Sequence, residues 1–292
     1  MIRTSKQLKD KVHNISRGDS EIAKALIRIF MMERFLERVS LSKYRNNFIL
    51  KGGMLVASIV GVDMRATMDI DTTVKSLALN ERDAERVIIE ICEVPVEDGV
   101  TFKVTSVTNI MTDLDYPGIR MMLEANLDRM RQPIKLDMST DDVITPAAVE
   151  YEYTLMFEER TISLLSYNTE TLLAEKLQTI FARGIANTRM RDYYDVCEIA
   201  KMHANKIDYN LLSEAFHATC KKRETVFSTK EIENTLSRIQ NDEPLAKMWE
   251  QFRKKNFFVG DLQWDEVLEE LVHIMIQFLQ GRPFPSHPIF FQ

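Results

Sequence analysis

An α+β fold, in which a mixed sheet with packed helices precedes an α-helical bundle, is predicted by three features of the sequence. Short apolar or alternating runs are interleaved with helical stripes over roughly the first 165 residues. Beyond Asn168 the apolar residues recur almost only at helical spacing. Turn-forming Asp, Asn, Pro and Gly residues punctuate the first part, as a sheet with short connections requires.

The first strong element is Ser20 to Val39, where Ile22, Ala25, Leu26, Ile29, Phe30, Phe35, Leu36 and Val39 lie at helical spacing. This helix is expected to pack on the sheet. Phe48 to Leu50 is a short apolar run ending at Gly52-Gly53, and Met54 to Val60 makes two helical turns stopped by Gly61. Strand, glycine turn and helix follow. Met68 to Val74 alternates apolar and polar residues with a β-branched bias, which predicts a half-buried strand. Asn80 caps a helix whose stripe is Ala84, Val87, Ile88, Ile91 and Cys92, and Pro95 and Gly99 close that segment. Strand-like runs follow at Val100 to Val107, Ile119 to Leu127 and Pro133 to Met138, with turn signals at Asp113, Asp115, Pro117, Gly118 and Asn126. The expected sheet has about four or five strands, and a further strand around Thr161 to Leu165 leads into the second half.

There, Leu172, Leu173, Leu177, Ile180 and Phe181 line one helix face and Lys176, Thr179 and Arg183 the other, with Gly184 as terminator. Thr188 can cap the next helix, where Tyr193, Val196, Cys197 and Ala200 form the apolar side and Asp192 and Asp195 stand i, i+3. On spacing alone this is a helical hairpin with surface ion pairs such as Arg191 to Asp195. About five helices then run on, with Trp249 and Trp264 in core stripes, and Pro283, Pro285 and Pro288 mark a non-helical tail. The expected domains are residues 1–165 and 166–292.

With 292 residues, 45% apolar and 28% charged, the chain has the composition of a globular protein with a sizeable core. Cys92, Cys197 and Cys220 have neither disulfide nor zinc-site spacing. His13, His203, His217, His273 and His287 show no metal-ligand pattern. No leader or long apolar run is found, so a cytoplasmic protein without membrane association is expected. A net charge of −6 argues against general nucleic-acid binding. Lys221-Lys222-Arg223 and Arg253-Lys254-Lys255 are short basic runs that could form a local patch, although such runs are usually solvated helix faces.

The chemistry concentrates between Lys51 and Asp71. On a strand, Asp69 and Asp71 share one face, with backbones about 6 to 7 Å apart. Two carboxylates so placed can converge on one hard divalent cation, which takes oxygen ligands and retains substrate phosphates; Mg2+ is the natural candidate. The Gly52-Gly53 turn allows close backbone approach to a phosphate, the helix start offers N–H donors, and Lys51 adds charge. A Gly-Gly pair alone is usually a turn, and a lone Asp-x-Asp is usually a solvated strand face. Together, and with Arg65-Ala66-Thr67 ahead of the carboxylates, they have the layout of a nucleotide-phosphate and metal site.

This combination resembles the nucleotidyltransferase toxins of the AbiEii/AbiGii abortive-infection, type IV toxin–antitoxin family. Its members read Lys-Gly-Gly, a short helix, then Arg-x-Thr-x-Asp-hydrophobic-Asp, matched here by Lys51, Gly52, Gly53, Arg65, Thr67, Asp69 and Asp71. After a Tyr-x-Gly segment, here Tyr116 to Gly118, family members carry a strand with an Asp, matched by Asp137. A later Lys and an Arg-rich, Asp-containing run are matched by Lys176 and by Arg191, Asp192 and Asp195. The likeness spans about residues 20 to 200. Gly53 departs from the wider superfamily, where Ser is common, and leaves phosphate binding to backbone donors and to Lys or Arg.

The resemblance implies a polymerase-beta-like nucleotidyltransferase domain and a helical domain that contributes Lys, Arg and Asp residues to the active-site cleft. It implies a nucleoside triphosphate as substrate and two Mg2+ ions on Asp69, Asp71 and Asp137, with Asp137 as possible proton acceptor. Lys176 is implied at a triphosphate oxygen, with Asp192 or Asp195 positioning that lysine, an arginine or the incoming substrate. The implied acceptor is RNA, chiefly the 3′ end of tRNA, whose blocking halts translation. The implied partner is an antitoxin, often a winged-helix DNA-binding repressor. The same carboxylates would serve an enzyme modifying a small-molecule or protein hydroxyl. A non-catalytic binding module on a degenerate fold is disfavoured, because crowded, unpaired carboxylates cost stability without a cation.

Overall fold

A computed structural model describes residues 1–61, 65–77, 80–110, 118–203 and 205–281, the side chains of residues 280 and 281 excepted. The turn signals at Asp113, Asp115 and Pro117, the Tyr116 part of the family segment, His287 and the proline tail lie outside the described residues. The chain forms two compact units, one of residues 1–142 and 148–166, the other of residues 143–147 and 167 onward.

The first unit holds α1 (Ser5–Ser16), α2 (Ser20–Leu41), β1 (Phe48–Lys51), α3 (Gly52–Val60), β2 (Asp69–Val74), α4 (Glu81–Cys92), β3 (Val100–Ile110), β4 (Gly118–Leu127), β5 (Met130–Ser139), β6 (Val149–Thr154) and β7 (Thr161–Ser166). The sheet has seven strands in the order β3-β4-β5-β2-β1-β7-β6, not four or five. It is mixed: β2 runs parallel to β5 and β1 parallel to β7, and the other neighbours are antiparallel. The unforeseen β6 reads Val-Glu-Tyr-Glu-Tyr-Thr, with mostly exposed side chains. An edge strand like this needs little apolar patterning, because pairing along one side suffices. Helix α1 was likewise hidden in a polar segment; Thr4 and Gln7 close a capping box at its start, and only Leu8, Val12 and Ser16 are buried.

The alternation of β4 and β5 defines the two sheet faces. Met121 and Leu123 on β4, with Ile134, Leu136 and Met138 on β5, are buried, while Arg120, Lys135, Asp137 and Ser139 point to the opposite, partly open face. Helix α2 packs on β5 and β7, and α4 on β3 and β4. Asn80 caps α4 by accepting from the Asp83 N–H, as its position suggests.

Helix α2 is buried all round from Ile29 to Val39, charged residues included. Arg38 makes a two-pronged pair with Asp98 at 2.7 and 2.9 Å and donates to the carbonyl of Val100. Arg34 bridges Glu37 at 2.9 Å and Glu158 at 3.3 Å, and Arg160 pairs with both of these carboxylates. Glu33 accepts the Met156 N–H. Planar guanidinium forks make such burial tolerable, because each carboxylate finds matched donors.

The second unit comprises α5 (Thr169–Arg183), α6 (Met190–His203), α7 (Tyr209–Lys222), α8 (Thr229–Gln240), α9 (Glu243–Lys255) and α10 (Trp264–Gly281). Asn168 caps α5 through the Thr171 N–H. Trp249 and Trp264 stack obliquely at 5.6 Å, and Tyr193 meets Trp264 edge-on at 5.1 Å. The tryptophans are core residues.

Two stability predictions follow from the ion network. Asp98→Ala strands the buried Arg38 guanidinium and should lower the unfolding free energy by about 3–5 kcal/mol in urea titrations. Burial pushes the Glu33 carboxyl from 4.5 up to about 8, against the pull of Arg34, the Met156 N–H and the Tyr153 hydroxyl. The folded chain thus holds a proton that the unfolded chain releases, so stability present below the unfolded value is lost as pH rises toward the folded one. Urea midpoints measured between about pH 5 and pH 8 should decline for the parent and flatten in Glu33→Gln.

Candidate active site

The sheet register assembles the acidic site. In the parallel β2–β5 pair Asp71 lies opposite Asp137 and Asp69 opposite Lys135, and in the antiparallel β1–β2 pair Lys51 lies opposite Asp71. Asp69, Asp71 and Asp137 each present a carboxylate oxygen within 4.8 Å of the others, all three half-buried. Three converging carboxylate oxygens suit a hard divalent cation, and the residues therefore fit the metal that the sequence implies.

Burial, then the Asp69 charge, pushes the Asp71 carboxyl above its ordinary value, and the Asp137 charge adds to this; the Gly53 N–H and Lys51 pull it back. The carboxylates are not unpaired, which corrects the argument from crowding. Arg120 grips both oxygens of Asp137 through Nε and Nη2, each at 2.8 Å. Lys135 pairs with Asp69, and its Nζ stands 3.8 Å from Asp137. The Gly53 N–H donates to Asp71 at 3.3 Å.

The glycine turn fits this arrangement tightly. Gly52 has φ +59°, and a Cβ there would stand 2.1 Å from the Asp71 Oδ2. A Cβ on Gly53 would stand 2.3 Å from the Thr67 hydroxyl and 2.7 Å from an Arg65 guanidinium nitrogen. Gly53 is thus glycine for want of space, a reason separate from phosphate binding. Arg65 and Thr67 are themselves buried behind the turn; Arg65 donates to the Ala66 carbonyl and Thr67 to the Asp69 carbonyl. Lys51 reaches Asp142, whose Oδ2 also accepts from Thr73 and Ser139, each of the three donors at 2.5 Å. Burial works against the Asp142 charge, but Lys51 and the two hydroxyls hold its carboxyl below the usual range.

In the helical unit Lys176 stands 2.6 Å from Asp195 and 3.4 Å from Asp192, and Arg189 contacts Asp192 at 3.1 Å. Asp195 is fully buried and Asp192 nearly so. These aspartates are not a solvated surface, contrary to the reading from spacing alone. Arg191 is half-buried on the first turn of α6. Within the two basic runs, Arg223 donates to the Glu175 carbonyl, Gln178 and Thr179, and Arg253 and Lys254 both pair with Glu250.

Sequence reasoning missed Arg120, Lys135 and Asp142. Lys135, two residues before Asp137 on the same strand face, was open to the i, i+2 rule; Arg120 and Asp142 needed strand pairing and a turn that no local pattern announces.

The turn yields its own prediction. Gly52→Ala imposes a left-handed backbone cost of about 1–2 kcal/mol on an L-residue and drives a methyl into Asp71. Its urea midpoint should fall, and its divalent-ion binding, followed by calorimetric titration with Mn2+, should weaken.

Comparison with known proteins fits this geometry. No curated protein matches the chain. Two solved structures resemble it over 88% of its length at 16% identity. JHP933 from Helicobacter pylori gives a TM-score of 0.51 over 93% of that chain, and a candidate nucleotidyltransferase from H. pylori gives 0.49 over 96%. At that identity the JHP933 likeness speaks for the fold. The family model described as nucleotidyl transferase AbiEii toxin, type IV TA system, matches residues 34–270, which include every candidate site residue. The chain belongs to the AbiEii family of type IV toxin–antitoxin nucleotidyltransferases.

Proposed function

We propose that this nucleotidyltransferase uses Mg2+ and transfers a nucleotide from a nucleoside triphosphate to RNA, with the 3′ end of tRNA as acceptor, and so blocks translation. The observation that carries the reading is the gathering of Asp69, Asp71 and Asp137 beside a glycine turn at the start of α3. In the reaction an acceptor hydroxyl oxygen bonds to the α-phosphorus, the bond to the β-phosphate oxygen breaks, and pyrophosphate leaves. When bound, Mg2+ on the three carboxylates supplies charge neutralisation at the phosphates and an activated hydroxyl.

The protein's own groups have distinct tasks. Asp137, oriented by Arg120, accepts the hydroxyl proton. The first-turn N–H groups and dipole end of α3 attract the triphosphate, and Gly52 and Gly53 let that turn close against Asp71, Thr67 and Arg65. Lys51 contributes positive charge at the same turn, while the buried Arg65 and Thr67 brace it from behind. Lys176 is a triphosphate ligand whose ammonium Asp192 and Asp195 position, and Arg191 supports substrate charge from the same helix. The type IV family implies an antitoxin partner; we propose a winged-helix DNA-binding repressor in that role.

The test incubates the full chain with total RNA and each α-labelled nucleotide in turn. Label in the tRNA fraction is expected; label confined to small molecules or protein would overturn the RNA acceptor. Asp71→Ala should lower transfer by about 10³-fold or more. Because that substitution removes one of three crowded like charges, its thermal midpoint in metal-free buffer should not fall. Transfer by Asp71→Ala at the parental rate would sink the mechanism.

A further inference from the structure

The two cations that meet the acidic triad are not equivalent. Arg120 spans the two oxygens of Asp137 and touches no other carboxylate of the triad within ion-pair distance. That grip fixes the orientation of one side chain. Lys135 instead projects from the strand position opposite Asp69, pairs with the Asp69 Oδ2 and lies 3.8 Å from the Asp137 Oδ2. Its ammonium is therefore set between two of the three carboxylates that would ligate a cation.

We infer that Lys135 is the internal counter-ion of the triad and competes with the divalent cation for it. The inference rests on the proposed metal-binding role of the three carboxylates. Three like charges within 4.8 Å repel unless positive charge accompanies them, and Lys135 supplies it from within the chain. A divalent ion ligated by Asp69 and Asp137 takes over that compensation and releases the lysine. The fold is thereby protected when metal is scarce, and metal affinity is held down until further oxygen ligands, such as those of a triphosphate, complete the ion's shell.

A positioning residue makes the opposite prediction. If Lys135 served only to hold Asp69 in place, its removal would weaken ion binding; if it competes, removal strengthens it. Mn2+ binding to the full-length protein, followed by electron paramagnetic resonance and calorimetry without nucleotide, should be about tenfold tighter in Lys135→Met, since a charge a few ångströms away typically changes cation binding by about that factor. Lys135→Gln, which keeps a polar side chain, should behave alike, and Lys135→Arg should stay near the parent. The thermal midpoint of Lys135→Met should fall without metal and recover in saturating Mn2+. Equal or weaker Mn2+ binding in both neutral variants, or a midpoint loss that Mn2+ does not restore, overturns the competition. Parental protein that binds no Mn2+, with Asp71→Asn indistinguishable from it, overturns the proposed metal site and this inference together.

Discussion

The mutual repulsion of Asp69, Asp71 and Asp137 is the constraint to which the rest of the first unit is fitted. Parallel pairing of β2 with β5 brings Asp71 opposite Asp137, and the i, i+2 rule adds Asp69 to the same face. A shift of either strand by one residue would turn a carboxylate into the apolar face. Register is held by what lies behind: Ile70, Leu136 and Met138 are fully or almost fully buried on the other side of these strands. The acidic face thus depends on an apolar one. Its charge is met at close range by Arg120, Lys135 and the Gly53 N–H, which is why burial and crowding raise the Asp71 carboxyl without disrupting the strands.

A second set of charges does the opposite work, joining elements where the first set builds a site. Arg34, Glu37, Glu158 and Arg160 tie α2 to the β6–β7 connection, and Arg38 ties it to Asp98 and Val100 at the start of β3. These attachments reach both flanks of the sheet around one helix. Each carboxylate of the network has a guanidinium partner, so burial does not strand charge. Glu33 is the exception among the neighbours: its partners are an N–H and a hydroxyl, and it takes up a proton instead.

Much of this was legible in the sequence because it rests on local periodicity. The helices after Asp19, Asn80 and Asn168, the strand with Asp69 and Asp71, and the three runs that became β3, β4 and β5 all carry spacing or caps that a single chain displays. Strand β6 escaped because its side chains are mostly exposed and carry no apolar stripe. The burial of Asp192 and Asp195 escaped for the opposite reason: their spacing suits a solvated helix face, whereas Lys176 from α5, with Arg189 at Asp192, makes a buried position tolerable. In the acidic site, spacing reached Asp69 and Asp71, which share a strand, while Asp137 came through the family resemblance and Lys135 beside it was passed over. Arg120 and Asp142 come from a neighbouring strand and from the segment after β5, and pairing over such distances leaves no mark in local sequence.

The distribution of positive charge bears on how the proposed RNA acceptor would be recognised. The chain carries a net charge of −6, and Arg223, Arg253 and Lys254 of the two basic runs have partners within the helical unit. A net negative chain exerts no general attraction on a polyanion, so any such pull would come from a local patch. On the RNA acceptor proposed above, selectivity for an RNA end would come from contacts made at the site itself, where a hydroxyl would have to reach the Asp137 side of the triad.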